Sequence, residues 1–336
     1  MAVSVRDVAA TAGVSVGTVS NVLNRPDKVA AATVERVQAA IAELGFVRND
    51  AARQLRAGRS RSVGLVVLDA GNPFFADVAR GAEARAEEDR LSVLLGNSDE
   101  DASREDGYLD LFREQRVNGV LITPASDDAA KLVRLQDAGI PVVLVDHEIP
   151  GSGFSSVSVD DVEGGYLAAK HLLDIGRRRL VFVGGPTAIA QVAHRLTGAR
   201  RAVAEVADAD LEVIEMPALT VLHGRDAGED LVRRSAADRP DAIFAANDLL
   251  AVGLLQALTM FSDVRVPEDI ALIGYDDIDF AAATVVPLSS IRQPAQLIGH
   301  TAVDLLLRSI DDPDGDYERN VRFRPELVVR ASTAVR

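Results

Sequence analysis

The sequence predicts two architectures in one chain: a small all-α helix-turn-helix head, then a two-lobed α/β body of doubly wound parallel sheets. Three observations carry this. Residues 1–46 hold three short amphipathic helix patterns punctuated by glycine and serine. Residues 62–336 alternate β-branched apolar runs with helical stretches, as expected of parallel strands joined by helical crossovers. That alternation comes in two sets, so two similar lobes are expected.

In the head, Ser4-Val5-Arg6-Asp7 has capping-box spacing. Val5, Val8, Ala9 and Ala12 then give a short helix one apolar stripe, and Gly13 breaks it. Ser15 caps a second helix that turns Val19, Val22 and Leu23 inward. Two short helices around a tight glycine turn form a helix-turn-helix pattern. A third helix puts Val34, Val37, Ile41 and Leu44 on one face and closes at Gly45.

Residues 47–61 are polar, basic and interrupted by Gly58. Asn49 can cap one or two helical turns there, too few to stand alone, so the segment is expected to be a hinge or linker.

In the body, residues 62–69, 91–97, 118–123 and 141–146 read as one set of strands, and 179–185, 211–216, 241–247 and 269–275 as a second. Lobe one is expected at about 62–160 and 292–320, and lobe two at about 161–291 and 321–336. Val159-Asp160, the run 289–294 and a segment near 319–322 would be the crossings between lobes.

Composition narrows the function. The net charge is −15, yet residues 1–61 carry nine Lys/Arg against five Asp/Glu, net +4, which leaves −19 on the rest. A basic head on an acidic body suits local phosphate contact. There is no cysteine, no signal-peptide pattern and no apolar run of membrane-spanning length, so a cytoplasmic protein without membrane contact is expected. No dinucleotide-binding glycine fingerprint, Walker loop or nucleophile elbow is present, and the five histidines lack metal-ligand spacing. Neither catalysis nor a cofactor or metal is expected.

Ligands of such folds bind at strand carboxyl ends, here the cleft between lobes. The residues placed there are Asn72 and Phe74 after the first strand, Asp146, Asp160, Arg195, Asn247 and Asp276. Carboxylates, an arginine fork and an aromatic face together suit a polyhydroxylated ligand. Asp160 is equally well placed to cap its helix, and one of Phe74 and Phe75 suits the core.

The run VRDVAATAGVSVGTVSNVLN, with its D-V-A, A-G-V-S, T-V-S and V-L-N elements, closely resembles the opening of the lactose-repressor family, and the resemblance extends along nearly the whole chain. It implies a ligand-responsive repressor: a homodimer that binds a palindromic stretch of double-stranded operator DNA. A small effector, a sugar or a nucleoside, would control it from a body shaped like the periplasmic sugar-binding proteins. An activator of the same architecture, or a solute-binding protein, is the alternative. Carried over, Val16, Gly17 and Asn21 read bases, and Thr18 and Ser20 lie near phosphates. Leu55, flanked by Arg53 and Arg56, would wedge into the minor groove. Phe74, Asp146, Arg195, Asn247 and Asp276 would line the effector pocket. Ala188-Ile189-Ala190 stands where some members carry a further polar or cationic residue, which disfavours a purine or phosphate ligand. The helices opening at Asn72-Pro73 and near Pro294 would contribute to the two-fold interface.

Overall fold

A computed structural model describes residues 3–46, 60–260 and 262–334. The chain divides into two units, Met1–Ser60 and Arg61–Arg336. Among the described residues no helix is long and apolar enough to cross a membrane.

Among its described residues the head holds three α-helices, α1 (Val5–Ala12), α2 (Val16–Asn24) and α3 (Ala31–Leu44), with a 3-10 turn at Pro26–Lys28. The capping box forms: Ser4 N–H donates to Asp7 Oδ2 at 2.8 Å, and Asp7 N–H reaches Ser4 Oγ. Gly13 adopts φ +65°, the left-handed turn that lets α2 fold back on α1. The Ser15 hydroxyl accepts from Thr18 N–H at 3.1 Å and caps α2. Val8, Ala9, Ala12, Val19, Val22, Val37 and Ala40 form the core, with Val34, Ile41 and Leu44 packed at its margin.

In the body, the first sheet contains β1 (Ser62–Val67), β2 (Ser92–Asn97), β3 (Gly119–Ile122), β4 (Val142–Val145), β5 (Ser155–Val159) and β11 (Asn320–Phe323). Their order is β11-β5-β4-β3-β1-β2, with every pair parallel. The second sheet orders β7 (Asp210–Glu215), β6 (Arg179–Gly184), β8 (Ala242–Ala245) and β9 (Ala271–Ile273), again parallel. A short antiparallel pair, β10 (Ser290–Arg292) with β12 (Glu326–Val328), completes the strands.

Helices cover the sheets: α4 (Pro73–Glu88), α5 (Ala102–Glu114), α6 (Ala130–Asp137), α7 (Asp161–Asp174), α8 (Ala190–Ala204), α9 (Val221–Arg233), α10 (Asp248–Met260), the short α11 (Asp279–Ala283) and α12 (Ala295–Asp311). Apart from the edge strands β2, β7 and β11, the strands of both sheets are buried and mostly apolar, except that β5 buries three serines, Ser155, Ser156 and Ser158.

One sequence expectation is corrected. The third crossing falls after Phe323, not near 319–322, because Asn320–Phe323 runs parallel to β5 as the outer strand of the first sheet. That segment belongs to lobe one rather than opening lobe two at 321. Its register pairs Asn320 with Ser156 and Phe323 with Val159, and half-buries Val321 and Phe323.

Two close approaches set the geometry of the cleft. α7 and α8 cross where Gly165 meets the backbone carbonyl of Arg195 and Gly198 meets that of Val162. A Cβ at either glycine would overlap the facing backbone, so only glycine permits the approach that brings Asp161 to Arg195. Gly165→Val is expected to destabilise the body by about 1–3 kcal/mol or more through overpacking. Urea unfolding checks this, and unchanged stability would show that the helices can separate freely.

Candidate functional site

The head presents one face of α2. Val19 and Val22 are buried, whereas Val16 is 43% exposed and Gly17 and Asn21 are exposed beside it. Thr18 is half-buried, its hydroxyl 2.9 Å from the Ser15 hydroxyl. Ser20 is also half-buried and accepts from Asn24 Nδ2 through its carbonyl at 2.8 Å and its hydroxyl at 3.2 Å. Thr18 and Ser20 therefore sit at the edge of the face, partly engaged in local bonds. Arg53, Leu55 and Arg56 lie outside the described residues.

In the body, Asn72, Phe74, Asp146, Arg195, Asn247 and Asp276 gather around one cleft between the lobes. Asn72 caps α4, its Oδ1 accepting from Phe74 N–H at 3.0 Å. Its Nδ2 donates to Asp276 Oδ2 at 3.0 Å and ties lobe one to lobe two. Phe74 and Phe75 meet edge to face at 5.1 Å, and both are buried against the core at the base of the cleft.

Asp146 directly follows β4 in a left-handed conformation (φ +54°) and is 4% exposed. Gln191 Nε2, at the start of α8, donates to its carbonyl at 2.6 Å and to Oδ2 at 3.2 Å, a second tie between lobes. Asp146 Oδ1 is buried without a partner. Burial, then repulsion from Asp161 and Asp276 against the opposing pull of Arg195, holds this carboxyl well above the usual carboxylate range.

Arg195 differs from the free fork expected. Its Nε donates to Asp161 Oδ1 at 2.8 Å and its Nη1 to the Ala246 carbonyl at 2.8 Å. Asp276 Oδ1 stands 3.8 Å from Nη1, and the guanidinium lies 3.7 Å over the Tyr275 ring. A buried cation must satisfy its charge and donors inside the protein, so the fork is largely engaged before any ligand arrives. Asp276 also accepts from Gln293 Nε2 at 2.8 Å. Burial raises its carboxyl, and Arg195, Asn72 and Gln293 pull it back down.

Asn247 is buried and doubly engaged. Its Oδ1 accepts from Leu250 N–H at 2.9 Å, opening α10, and its Nδ2 donates to the Leu219 carbonyl at 3.2 Å. It positions the Leu219 wall of the cleft.

Asp160 is not brought to this cleft. Its Oδ1 accepts from Glu163 N–H at 2.9 Å and caps α7, and it borders a neighbouring crevice with His147 and His194. The capping preference of aspartate accounts for that placement.

Sequence reading did not single out Asp161, Gln191 or Tyr275, and marked Gln293 only as part of a crossing. Asp161 stands next to the residue that was chosen, one step further into the helix. Gln191 opens a helix at a strand end, the same cue that pointed to Arg195.

Residues 4–49 match the family described as bacterial regulatory proteins, lacI family, and residues 169–333 match the periplasmic binding protein-like domain. An HTH-type transcriptional repressor PurR of Aliivibrio fischeri (strain MJ11) is 34% identical over 336 residues, covering 98% of each chain. The crystal structure of the lac repressor dimer bound to operator and the anti-inducer ONPF superposes with a TM-score of 0.85 at 26% identity, covering all of both chains. A LacI family transcriptional regulator from Enterococcus faecium with bound ribose superposes at 0.73 with 28% identity, covering 81% of this chain and 98% of that one. With head and body each matched, and a repressor relative aligned along almost its whole length, this chain belongs to the LacI family of bacterial regulatory proteins.

Proposed function

We propose that the chain is a ligand-controlled transcriptional repressor whose dimer sets two heads on a palindromic operator and whose cleft takes an uncharged, polyhydroxylated effector, a sugar or a nucleoside. The observation that carries the ligand reading is Asp146. A carboxylate oxygen buried in a cleft with no partner is costly unless a ligand donor completes it. Sugar hydroxyls supply such donors, and Phe74 with Leu219 offers apolar wall to a ring face. The solved relative with bound ribose supports the same class.

The switch follows from where the bonds run. Asn72–Asp276 and Gln191–Asp146 bridge the lobes through carboxylates of the ligand site. A ligand that takes over those oxygens changes the relative stability of lobe arrangements, and that difference is what an effector can transmit. The helices expected at the two-fold interface, α4 and α12, pack on one another through Gly81 and Gly299, and Leu297 at the start of α12 stays half exposed.

On DNA, α2 enters the major groove. Asn21 has an amide suited to paired hydrogen bonds with adenine, and Val16 suits a thymine methyl. Thr18 and Ser20 sit beside phosphates. Beyond the described residues, Arg53 and Arg56 flank Leu55 for the minor-groove wedge.

Two outcomes are expected. Pentoses, hexoses and nucleosides screened by thermal shift should include a compound that stabilises the chain, by about 2.7 kcal/mol at roughly 100 times its dissociation constant. Silence across the whole panel would remove the polyol reading. Asn21→Ala should weaken operator binding by about 1–3 kcal/mol and relax preference at one base pair per half-site, with body stability unchanged. Competition binding against single-base operator variants measures this, and an unaltered preference profile would take Asn21 out of base reading.

A further inference from the structure

We propose that Asp69 and Glu100 form a charge filter in the effector cleft, admitting an uncharged, donor-rich ligand and turning away its phosphorylated analogues. This rests on the polyol reading above and adds the residues that set its selectivity.

Both side chains line the same cleft as Asp146 and Asp276. They come from neighbouring strand ends, since β1 and β2 pair in parallel out to Val67 opposite Asn97. The two loops that follow are fastened together. Glu100 N–H donates to the Leu68 carbonyl at 3.1 Å, Ser98 N–H to the Val67 carbonyl at 3.0 Å, and Ala70 N–H to Asn97 Oδ1 at 3.1 Å. Asp69 Oδ1 is held by Gly71 N–H at 2.7 Å. Asp99 and Glu100 both take left-handed backbone, at φ +56° and +59°, an uncommon conformation for side chains of this kind. The surrounding bonds keep this turn in place.

The charge balance of the cleft is one-sided. Asp69 and Glu100 are half-buried, and neither makes an ion pair among the described residues. Burial raises the Glu100 carboxyl above its ordinary range, and repulsion from Asp69 and Asp99 adds to the rise. Among the described lining residues the one cation is Arg195, already engaged by Asp161 and lying near Asp276. The buried, unpartnered Oδ1 of Asp146 is therefore an acceptor waiting for a ligand donor.

Hydroxyls bring donors to such a wall. A phosphate brings only acceptors and negative charge, and it would meet carboxylates with no free cation to neutralise it. Selectivity built this way comes from the repulsive element rather than from better contacts to the preferred ligand.

The test uses the full chain and three pairs: D-ribose with D-ribose 5-phosphate, D-glucose with D-glucose 6-phosphate, and adenosine with its 5′-monophosphate. Binding is measured by calorimetry at matched ionic strength, with thermal unfolding as the folding control. In any pair whose neutral member binds, the phosphorylated member should bind at least about tenfold more weakly. In the double variant D69N/E100Q that gap should narrow to about threefold or less. Glu100→Gln alone should narrow it in part, which keeps the test open if the double variant folds poorly. Equal or tighter binding of a phosphorylated member, or undiminished discrimination in both variants, would overturn the filter. Silence of all three pairs would instead overturn the polyol reading, and the filter with it.

Discussion

Replacing Arg195 by Met is expected to destabilise the body by about 3–5 kcal/mol, because a buried ion pair broken on one side leaves its partner charged and unpaired. Two carboxylates would be stranded: Asp161, now 2.8 Å from the guanidinium, and Asp276 at 3.8 Å. The Ala246 carbonyl would lose its donor, and Tyr275 the cation over its ring. The sequence alone suggests a milder result, loss of ligand response in a protein that stays folded. The observed bonding makes stability the larger effect. Adding Asp161→Asn to Arg195→Met should recover part of the loss, since the stranded charge nearest the gap is removed. Urea unfolding of parent, single and double variants measures the coupling. Additive costs would show that Asp161 and Arg195 do not act as a pair.

Asp146→Asn is expected to move stability and ligand binding in opposite directions. An Asp whose folded pKa lies above its unfolded value of about 3.9 binds its proton more tightly when folded, so its contribution to stability falls as pH rises through that window. Asp146 is held above the ordinary range chiefly by burial, then by Asp161 and Asp276. Asparagine keeps the shape and removes the charge. The unliganded variant should gain about 1–2 kcal/mol near pH 7.5, and the two stability curves should converge as pH falls toward about 4. Effector affinity should drop by about 1.5–3 kcal/mol, because a charged acceptor has been replaced by a neutral one. Chemical unfolding across pH, paired with calorimetry, tests both halves. A variant less stable than the parent at neutral pH would mean that the carboxylate is well compensated without ligand.

Much of this was legible in the sequence because it depends on local pattern. The head announces itself through Ser4-to-Asp7, Gly13, Ser15 and Gly45, each of which acts within one helical turn. The parallel strands announce themselves because burial on both faces demands unbroken apolar runs. Asn320–Phe323 gave no such run: it is an edge strand of four residues, half-buried at alternate positions, between charged neighbours.

The cleft was legible in its members but not in their bonds. Asn72 and Asp276 are 204 residues apart, and Asp161 and Arg195 are 34 apart. No local spacing tells which carboxylate will claim the guanidinium or which amide will span the lobes. That partnership is set by the crossing of α7 and α8 and by the meeting of the lobes, both long-range properties. Asp160 shows the opposite case, where a local capping rule outweighed a position at a strand end.

The most direct test of a ligand-switched repressor is operator affinity with and without effector. Duplexes selected from a random pool by the full chain supply the operator, and the thermal-shift screen supplies the compound. Fluorescence anisotropy then reads binding at fixed salt. The expected result is a palindromic consensus, bound with an affinity that saturating compound changes about tenfold or more, a coupling of roughly 1.4 kcal/mol or greater. Failure to enrich any sequence, or an operator affinity identical with and without a compound that stabilises the body, would contradict it.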